Sequence, residues 1–83
     1  MITNQHQTAM NGFTAVQRRT LQRFKKKLAQ EMPNLRIEWA LPFKDSIIEL
    51  HLEYDKRTYR KSLKAAKLAI AAGEETGVMI ILR

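Results

Sequence analysis

Glu49, His51 and Glu53 come closest, by residue type and spacing, to a catalytic or metal-binding group in this 83-residue chain. Their two-residue spacing places them on one face of a β-strand, and Glu38 can lie across a strand pair from them. Imidazole and carboxylate groups transfer protons and bind metal ions. However, one histidine on an exposed, convex sheet has no pocket, and polar faces are common in antiparallel sheets. We interpret this histidine–glutamate cluster as a solvated sheet face.

Other kinds of reactive site have little support in the sequence. The chain has no cysteine, which excludes disulfides, thiolate nucleophiles and cysteine-bound zinc. His6 falls in a polar N-terminal segment, where it cannot be held in place. Gly73 and Gly77 enclose two acidic residues, which would repel a phosphate, and a strand rather than a helix is predicted to follow them. The sequence therefore predicts a protein that is not an enzyme and uses no cofactor or metal.

Positive charge is the stronger functional signal. Fifteen Lys and Arg residues oppose eight Asp and Glu, for a net charge of +7. Residues 14–32 and residues 55–72 each contain six basic residues and one acidic residue, whereas the rest of the chain has a net charge of −3. Exposed helices ordinarily mix charges of both signs. The imbalance favours an anionic partner.

The hydrophobic pattern places both basic segments on helices. The helical period runs from Thr14, a suitable N-cap, to Met32. It returns from Lys56 to Ala72, with Asp55 predicted as N-cap and Gly73 as the C-terminal cap. On the second helix, we expect the packing arc to contain Tyr59, Ser62, Leu63, Ala66, Ala69 and Ile70.

Alternating apolar residues predict a β-hairpin between these helices. Residues 35–41 form its first strand, with Trp39 facing the core, residues 42–45 form the turn, and residues 46–54 form the second strand. The apolar residues 78–82 predict a third strand. We expect residues 1–12 to be a flexible N-terminal tail and residues 13–83 to be a single domain.

The element order α-β-β-α-β predicts an α+β fold, a two-layer α/β sandwich with a three-stranded mixed sheet. The helical crossover makes strands two and three parallel. We favour the strand order 2-1-3, a split β-α-β layout with both helices on one face, over an order in which the third strand lies beside the second. The third strand is then an apolar edge, and a homodimer through this C-terminal strand would cover it.

Two helices side by side would merge their basic side chains into one surface that contacts the phosphate backbone of DNA or RNA. No helix-turn-helix, zinc-finger or Gly-x-x-Gly motif is present, and Trp39 and Tyr59 are predicted to be buried, so contact with bases is not expected. The predicted nucleic-acid-binding residues are Arg18, Arg19, Arg23, Lys25, Lys26, Arg57, Arg60, Lys61, Lys64 and Lys67.

A small protein-interaction module, an inhibitor or adaptor that docks an acidic protein surface, is the alternative. Leu68, predicted at the centre of the basic arc, and the last strand would be its apolar anchors. No segment is apolar enough for membrane insertion, no signal peptide is visible, and the absence of cysteine favours a cytoplasmic location.

Overall fold

The computed structural model describes residues 12–83, which form two helices and a three-stranded mixed sheet in the order α-β-β-α-β. This confirms the predicted α+β class and element order. The predicted tail, residues 1–12, lies outside the described residues except for Gly12. The elements are α1 (Ala15–Glu31), β1 (Arg36–Lys44), β2 (Ile47–Glu53), α2 (Tyr59–Glu74) and β3 (Met79–Leu82).

The strands lie in the order β1-β2-β3, with β2 antiparallel to β1 and parallel to β3. The favoured order 2-1-3 was wrong, because β3 pairs with β2 and not with β1. The crossover through α2 takes the shorter route, since consecutive elements usually lie beside each other. As a result β2 is the central strand, and β3 is an edge strand.

A bulge at Glu38 decides which side chains of β1 face the core. Ile37 pairs with Leu52, but Trp39 already pairs with the next residue of β2, His51, so Glu38 is an extra residue in β1. One extra residue reverses the alternation of side chains along a strand. From this bulge to a second irregularity between Pro42 and Lys44, the faces of β1 are therefore exchanged relative to the sequence pattern.

Trp39 lies on the outer face of the sheet because of this bulge, and the prediction that it faces the core was wrong. The residue is 39% exposed, and its ring stacks on the imidazole of His51 with 5.9 Å between ring centroids. Ala40 takes the core-facing position and packs against the buried cluster. Leu41, the next residue, is exposed.

The strand β1 is also longer than predicted. It continues to Lys44, so the turn consists of Asp45 and Ser46 and does not begin at Pro42. Proline lacks a backbone N–H and is accepted in edge strands. Pro42 lies in such a strand, since β1 has a neighbour on one side only among residues 12–83.

Helix α1 begins as predicted. The hydroxyl of Thr14 accepts a hydrogen bond from the N–H of Gln17 at 3.1 Å, and the Gln17 side chain accepts one from the N–H of Thr14 at 2.8 Å. This reciprocal pair satisfies two backbone donors that a helix start leaves open. Phe24 and Leu28, which are four residues apart, are buried on one face of the helix.

Helix α2 begins and ends later than predicted. Thr58, and not Asp55, is the N-cap, and its hydroxyl accepts from the N–H of Lys61 at 3.2 Å. Gly73 lies inside the helix, where a Cβ would collide with the carbonyl oxygen of Val78. Gly77, with φ of 80°, makes the turn into β3.

The buried face of α2 consists of small residues, and the predicted packing arc was wrong by about a quarter of a turn. Ala65, Ala69 and Ala72 are buried, and they allow the helix to approach its neighbours closely. Tyr59, Leu63 and Ile70 from the predicted arc are exposed instead. Leu68, predicted at the centre of the basic arc, packs half-buried against the core.

One core cluster contains side chains from both helices and from the sheet. Ile48, Leu50 and Leu52 are its members from β2, and they share one face because side chains alternate along a strand. Ile80 and Leu82 of β3 pack against the same cluster.

Candidate nucleic-acid interface

Helices α1 and α2 contact each other, and polar links connect them at both ends. Arg23 of α1 forms an ion pair with Glu75, which follows α2, and Lys64 of α2 forms one with Glu31 of α1 at 3.4 Å. The hydroxyl of Thr20 also forms a hydrogen bond with the hydroxyl of Thr76. The basic side chains of the two helices therefore belong to neighbouring elements.

Helix α1 presents exposed cations on the side away from its buried residues. Arg19 and Lys26 are seven residues apart, about two helical turns, so they lie on the same side. Lys25 is also exposed, and Arg18 is exposed while one guanidinium N–H donates to the carbonyl oxygen of Phe13 at 2.8 Å. Helix α1 thus carries a row of positive side chains accessible to a ligand.

Helix α2 and the loop before it add a second group of cations. Arg60 and Lys67 are exposed on the helix. Arg57 lies before the helix, not on it, and its guanidinium sits 5.5 Å from the ring centroid of Tyr54. Lys61 is held by Asp55, with 3.4 Å between Nζ and Oδ1.

Seven of the ten predicted nucleic-acid-binding residues have no carboxylate within 4.0 Å in the part of the chain that the structure describes. Only Arg23, Lys61 and Lys64 form ion pairs. The seven are all exposed: Arg18, Arg19, Lys25, Lys26, Arg57, Arg60 and Lys67. The prediction named neither Lys27, half-buried on α1, nor Lys56, exposed beside Arg57, although both lie in the same basic segments.

The pKa of Asp55 is lowered from its ordinary value of 3.8. The backbone N–H of Lys56 donates to its carboxylate at 2.7 Å and is the main cause, and the ammonium of Lys61 adds to it. Both contacts favour the ionised form. Asp55 therefore anchors the loop that leads into α2 and does not cap the helix.

The outer face of the sheet is the second exposed surface, and its charges are paired. Arg36 contacts Glu53 at 2.9 Å, and Arg83 contacts Glu49 at 2.7 Å. His51 contributes to the same face, with 3.2 Å between its Nε2 and Oε1 of Glu38. Glu49 and Glu53 are thus paired with arginines and Glu38 contacts His51, and residues 12–83 contain no group of three acidic or histidine side chains that could bind a metal ion.

Exposed apolar residues on α2 form a third surface, which sequence reasoning missed because it assigned them to the core. The exposed Tyr59, Leu63 and Ile70 and the half-buried Ala66 recur at intervals of three and four residues, so they follow one side of the helix. We call these four residues the α2 stripe. A groove of about 290 Å³, lined by Ile70 and Met79 among others, connects the stripe to β3.

No family model, curated protein or solved structure matches this chain. None of the helices in residues 12–83 has both the length and the hydropathy required to cross a membrane.

Proposed function

We propose that this protein binds nucleic acid, mainly through contacts between the phosphate backbone and the basic side chains of α1, α2 and the loop before α2. The observation that carries this proposal is the set of seven exposed cations without a carboxylate partner among residues 12–83, on or beside two helices in contact. Such a concentration of like charges is self-repelling. Binding a polyanion offsets that repulsion and releases counterions, which favours association.

The ten basic residues are not equivalent in this proposal. Arg19 and Lys26 on α1 and Arg60 and Lys67 on α2 are exposed and have no carboxylate partner among residues 12–83. Arg23 and Lys64 already neutralise Glu75 and Glu31, so their contribution to phosphate binding is smaller. The strongest contacts are therefore expected from these four side chains.

Recognition of the backbone rather than the bases fits the placement of Trp39 on the outer face of the sheet. Trp39 is accessible there, but the arginines of that face, Arg36 and Arg83, are paired with Glu53 and Glu49. Proteins that stack bases on a sheet place basic residues beside the aromatic rings. We propose shape-tolerant binding of DNA or RNA in a reducing cytoplasm, the latter because the chain has no cysteine.

The test compares two triple variants with the same change in net charge. Arg19→Gln, Lys26→Gln and Lys67→Gln remove charge from the helices, whereas Arg36→Gln, Lys44→Gln and Arg83→Gln remove it from the sheet. We expect wild-type affinity for duplex DNA and RNA of mixed sequence, followed by fluorescence anisotropy, to fall steeply as salt rises. The helix variant should bind about tenfold to a thousandfold more weakly than the sheet variant at low salt, with a shallower salt dependence.

Two results would contradict the proposal. One is a wild-type protein that binds neither nucleic acid at low salt. The other is an equal loss of affinity in both triple variants, which would show that net charge and not the helix surface determines binding.

An acidic protein partner is the second candidate function, and the α2 stripe favours it. Tyr59, Leu63 and Ile70 lie beside Arg60 and Lys67, and a partner with apolar side chains and surrounding carboxylates would match this combination. The apolar anchor is then the α2 stripe and not Leu68, which packs against the core. Here Leu63→Lys would abolish binding of a purified partner, whereas nucleic-acid binding at α1 would tolerate it.

A further inference from the structure

The outer edge of β3 presents unpaired backbone groups. The N–H groups of Met79 and Arg83 donate to carbonyl oxygens of residues 46–50 at 2.8 Å each. Because successive N–H groups along a strand point in opposite directions, those of Ile80 and Leu82 point away from β2. No strand within residues 12–83 pairs with that edge. Such an edge is a ready template for another strand.

The α2 stripe continues the apolar surface from this edge onto the helix. Tyr59 is 81% exposed, Leu63 43% and Ile70 61%, and Ile70 lines the groove that reaches Ile80 of β3. A set of large apolar side chains this exposed marks an interaction surface. A single partner could cover the strand edge and the stripe at once.

We propose that this partner is a second copy of the chain, bound across a two-fold axis with the β3 strands antiparallel. Ile80 of each copy then pairs with Leu82 of the other, and each of these two equivalent pairs exchanges two backbone hydrogen bonds. The axis passes beside Ile81, which faces Ile81 of the second copy. The two sheets join into one sheet of six strands.

The strand register and the helix register give the same position for this axis. Gly73 of α2 lies level with Val78, since a Cβ on Gly73 would meet the carbonyl oxygen of Val78. From Val78 to Ile81 the strand advances three residues, about 10 Å. Helix α2 runs back along β3, and 10 Å corresponds to about seven helical residues. The axis therefore crosses α2 close to Ala66, within the α2 stripe.

Packing at this crossing point is favourable. The small side chain of Ala66 lets two antiparallel helices approach closely. Residues on either side of Ala66 then meet across the axis, with Leu63 of each copy against Ile70 of the other. The stripe is self-complementary in the way that a two-fold interface requires.

Charge also favours a second copy in this orientation. Arg60 lies near the start of α2 and Glu74 at its end, both are exposed, and neither forms an ion pair within residues 12–83. Antiparallel helices centred on Ala66 bring Arg60 of each copy near Glu74 of the other. The two ends of the α2 stripe thus carry opposite charges, and the two-fold rotation brings the positive end of each copy to the negative end of the other.

A single introduced cysteine tests the position of the axis, because the chain has none of its own. Ile81 faces itself in a non-hydrogen-bonded antiparallel pair, where the Cα atoms are about 4.5 Å apart, within the range of about 4.4–6.8 Å that a disulfide spans. We expect Ile81→Cys to form a disulfide-linked dimer on mild oxidation, seen by non-reducing electrophoresis. Leu41→Cys is the matched control, because Leu41 and Ile81 both lie level with Glu49 but on opposite edge strands; it should remain uncrosslinked at the same concentration.

Sedimentation equilibrium of the full chain tests the α2 stripe. We expect a dimer for the wild type and a monomer for Leu63→Lys, whereas Leu41→Lys, with 46% exposure against 43% for Leu63, should remain dimeric. Arg60→Glu or Glu74→Arg alone should raise the dimer dissociation constant by about tenfold, and the double variant should restore it. Circular dichroism shows whether each variant is folded.

Three outcomes would overturn the proposal. The wild type could remain monomeric at the highest concentration that is soluble. Leu41→Cys could crosslink while Ile81→Cys does not, which would mean that the outer sheet faces or the β1 edges associate instead. Finally, a full chain that is monomeric and becomes dimeric when residues 1–11 are deleted would show that the N-terminal segment is the occupant of the β3 edge.

Discussion

Gln17 is a buried polar residue that ties α1 to the turn between β1 and β2. Its side-chain amide donates to the carbonyl oxygens of Lys44 and Ile47, the latter at 3.0 Å, and its own oxygen accepts from the N–H of Thr14. Glutamine is mostly exposed in proteins, so no sequence pattern indicates this role. The long side chain connects two segments that are about thirty residues apart in the chain.

We expect Gln17→Met to lower the free energy of unfolding by about 1–3 kcal/mol, because it leaves buried backbone groups without hydrogen-bond partners. Urea denaturation followed by circular dichroism measures this change. Gln22→Met, at an exposed position of the same helix, is the control and should change stability by about 0.5 kcal/mol or less. Equal stability of the two variants would show that Gln17 does not hold the turn.

Two substitutions can distinguish the two contacts that lower the pKa of Asp55. The N–H of Lys56 is the main cause and the ammonium of Lys61 the second. We expect Lys61→Met to raise the pKa of Asp55 towards 3.8 without reaching it, as measured by NMR titration of the carboxyl carbon. Lys56→Met should have the smaller effect, since it keeps the backbone N–H. The opposite ranking would contradict the assignment.

The sign of the pH dependence follows from the same contacts. The pKa of Asp55 is lower in the folded state, so its contribution to stability is present above its unfolded pKa and is lost as the pH falls through the folded pKa. The stability of Lys61→Met should therefore fall less than that of the wild type as the pH drops below 3.8. Near neutral pH, Asp55 should add no pH dependence to the stability of either protein.

At the scale of elements, the packing of α2 onto β3 depends on the absence of a side chain at Gly73. Alanine is the better helix former by about 1 kcal/mol, but its Cβ would meet the backbone of Val78, which cannot move aside as a flexible side chain can. We expect Gly73→Ala to destabilise the protein by about 1–3 kcal/mol in urea denaturation. A stabilised variant would show that helix and strand are less closely packed.

Gly77 supplies the control, because open space surrounds it and only its φ of 80° opposes a side chain. Gly77→Ala should cost about 1 kcal/mol through backbone strain alone.

The two helices and three strands could be predicted from the sequence, because each has a clear period of apolar residues. The sequence did not predict which side chains of β1 face the core. The bulge at Glu38 arises from the fit of β1 to β2, whereas alternation alone places Trp39 in the core. The predicted rotation of α2 about its own axis was wrong for a different reason. Two of its sides are apolar, and the large residues Tyr59, Leu63 and Ile70 outweigh the alanines in a periodicity argument, whereas close packing selects the alanines.

At the scale of the whole molecule, positive charge without carboxylate partners is concentrated at the helices. The exposed cations without carboxylate partners among residues 12–83 lie on and beside the helices, except Lys44 of β1, while Arg36 and Arg83 of the sheet edges are paired with glutamates. The positions of the helical cations follow from the sequence, but the ion pair between Arg23 and Glu75 joins residues far apart in the chain and requires the fold. The proposed dimer uses β3 as an edge strand, which it is in both the predicted and the observed strand order.

A dimer of this geometry would place the α2 helices of both copies side by side, with an α1 helix beyond each. The surface proposed to bind phosphates would then double in length without any new residue. Two linked sites bind a long polyanion more tightly than either does alone. The difference in affinity between short and long duplexes should therefore be larger for the wild-type dimer than for the monomer expected of Leu63→Lys.

Trp39 is the only tryptophan in the chain, and its indole is half in solvent against an imidazole. The intrinsic fluorescence of the protein therefore originates on the face of β1 opposite to Ile37 and Ala40, which pack against the core. Its emission reports on the surroundings of His51, and a ligand held by the helices leaves that optical signal largely undisturbed. Quenching on addition of a ligand would locate that ligand on the sheet.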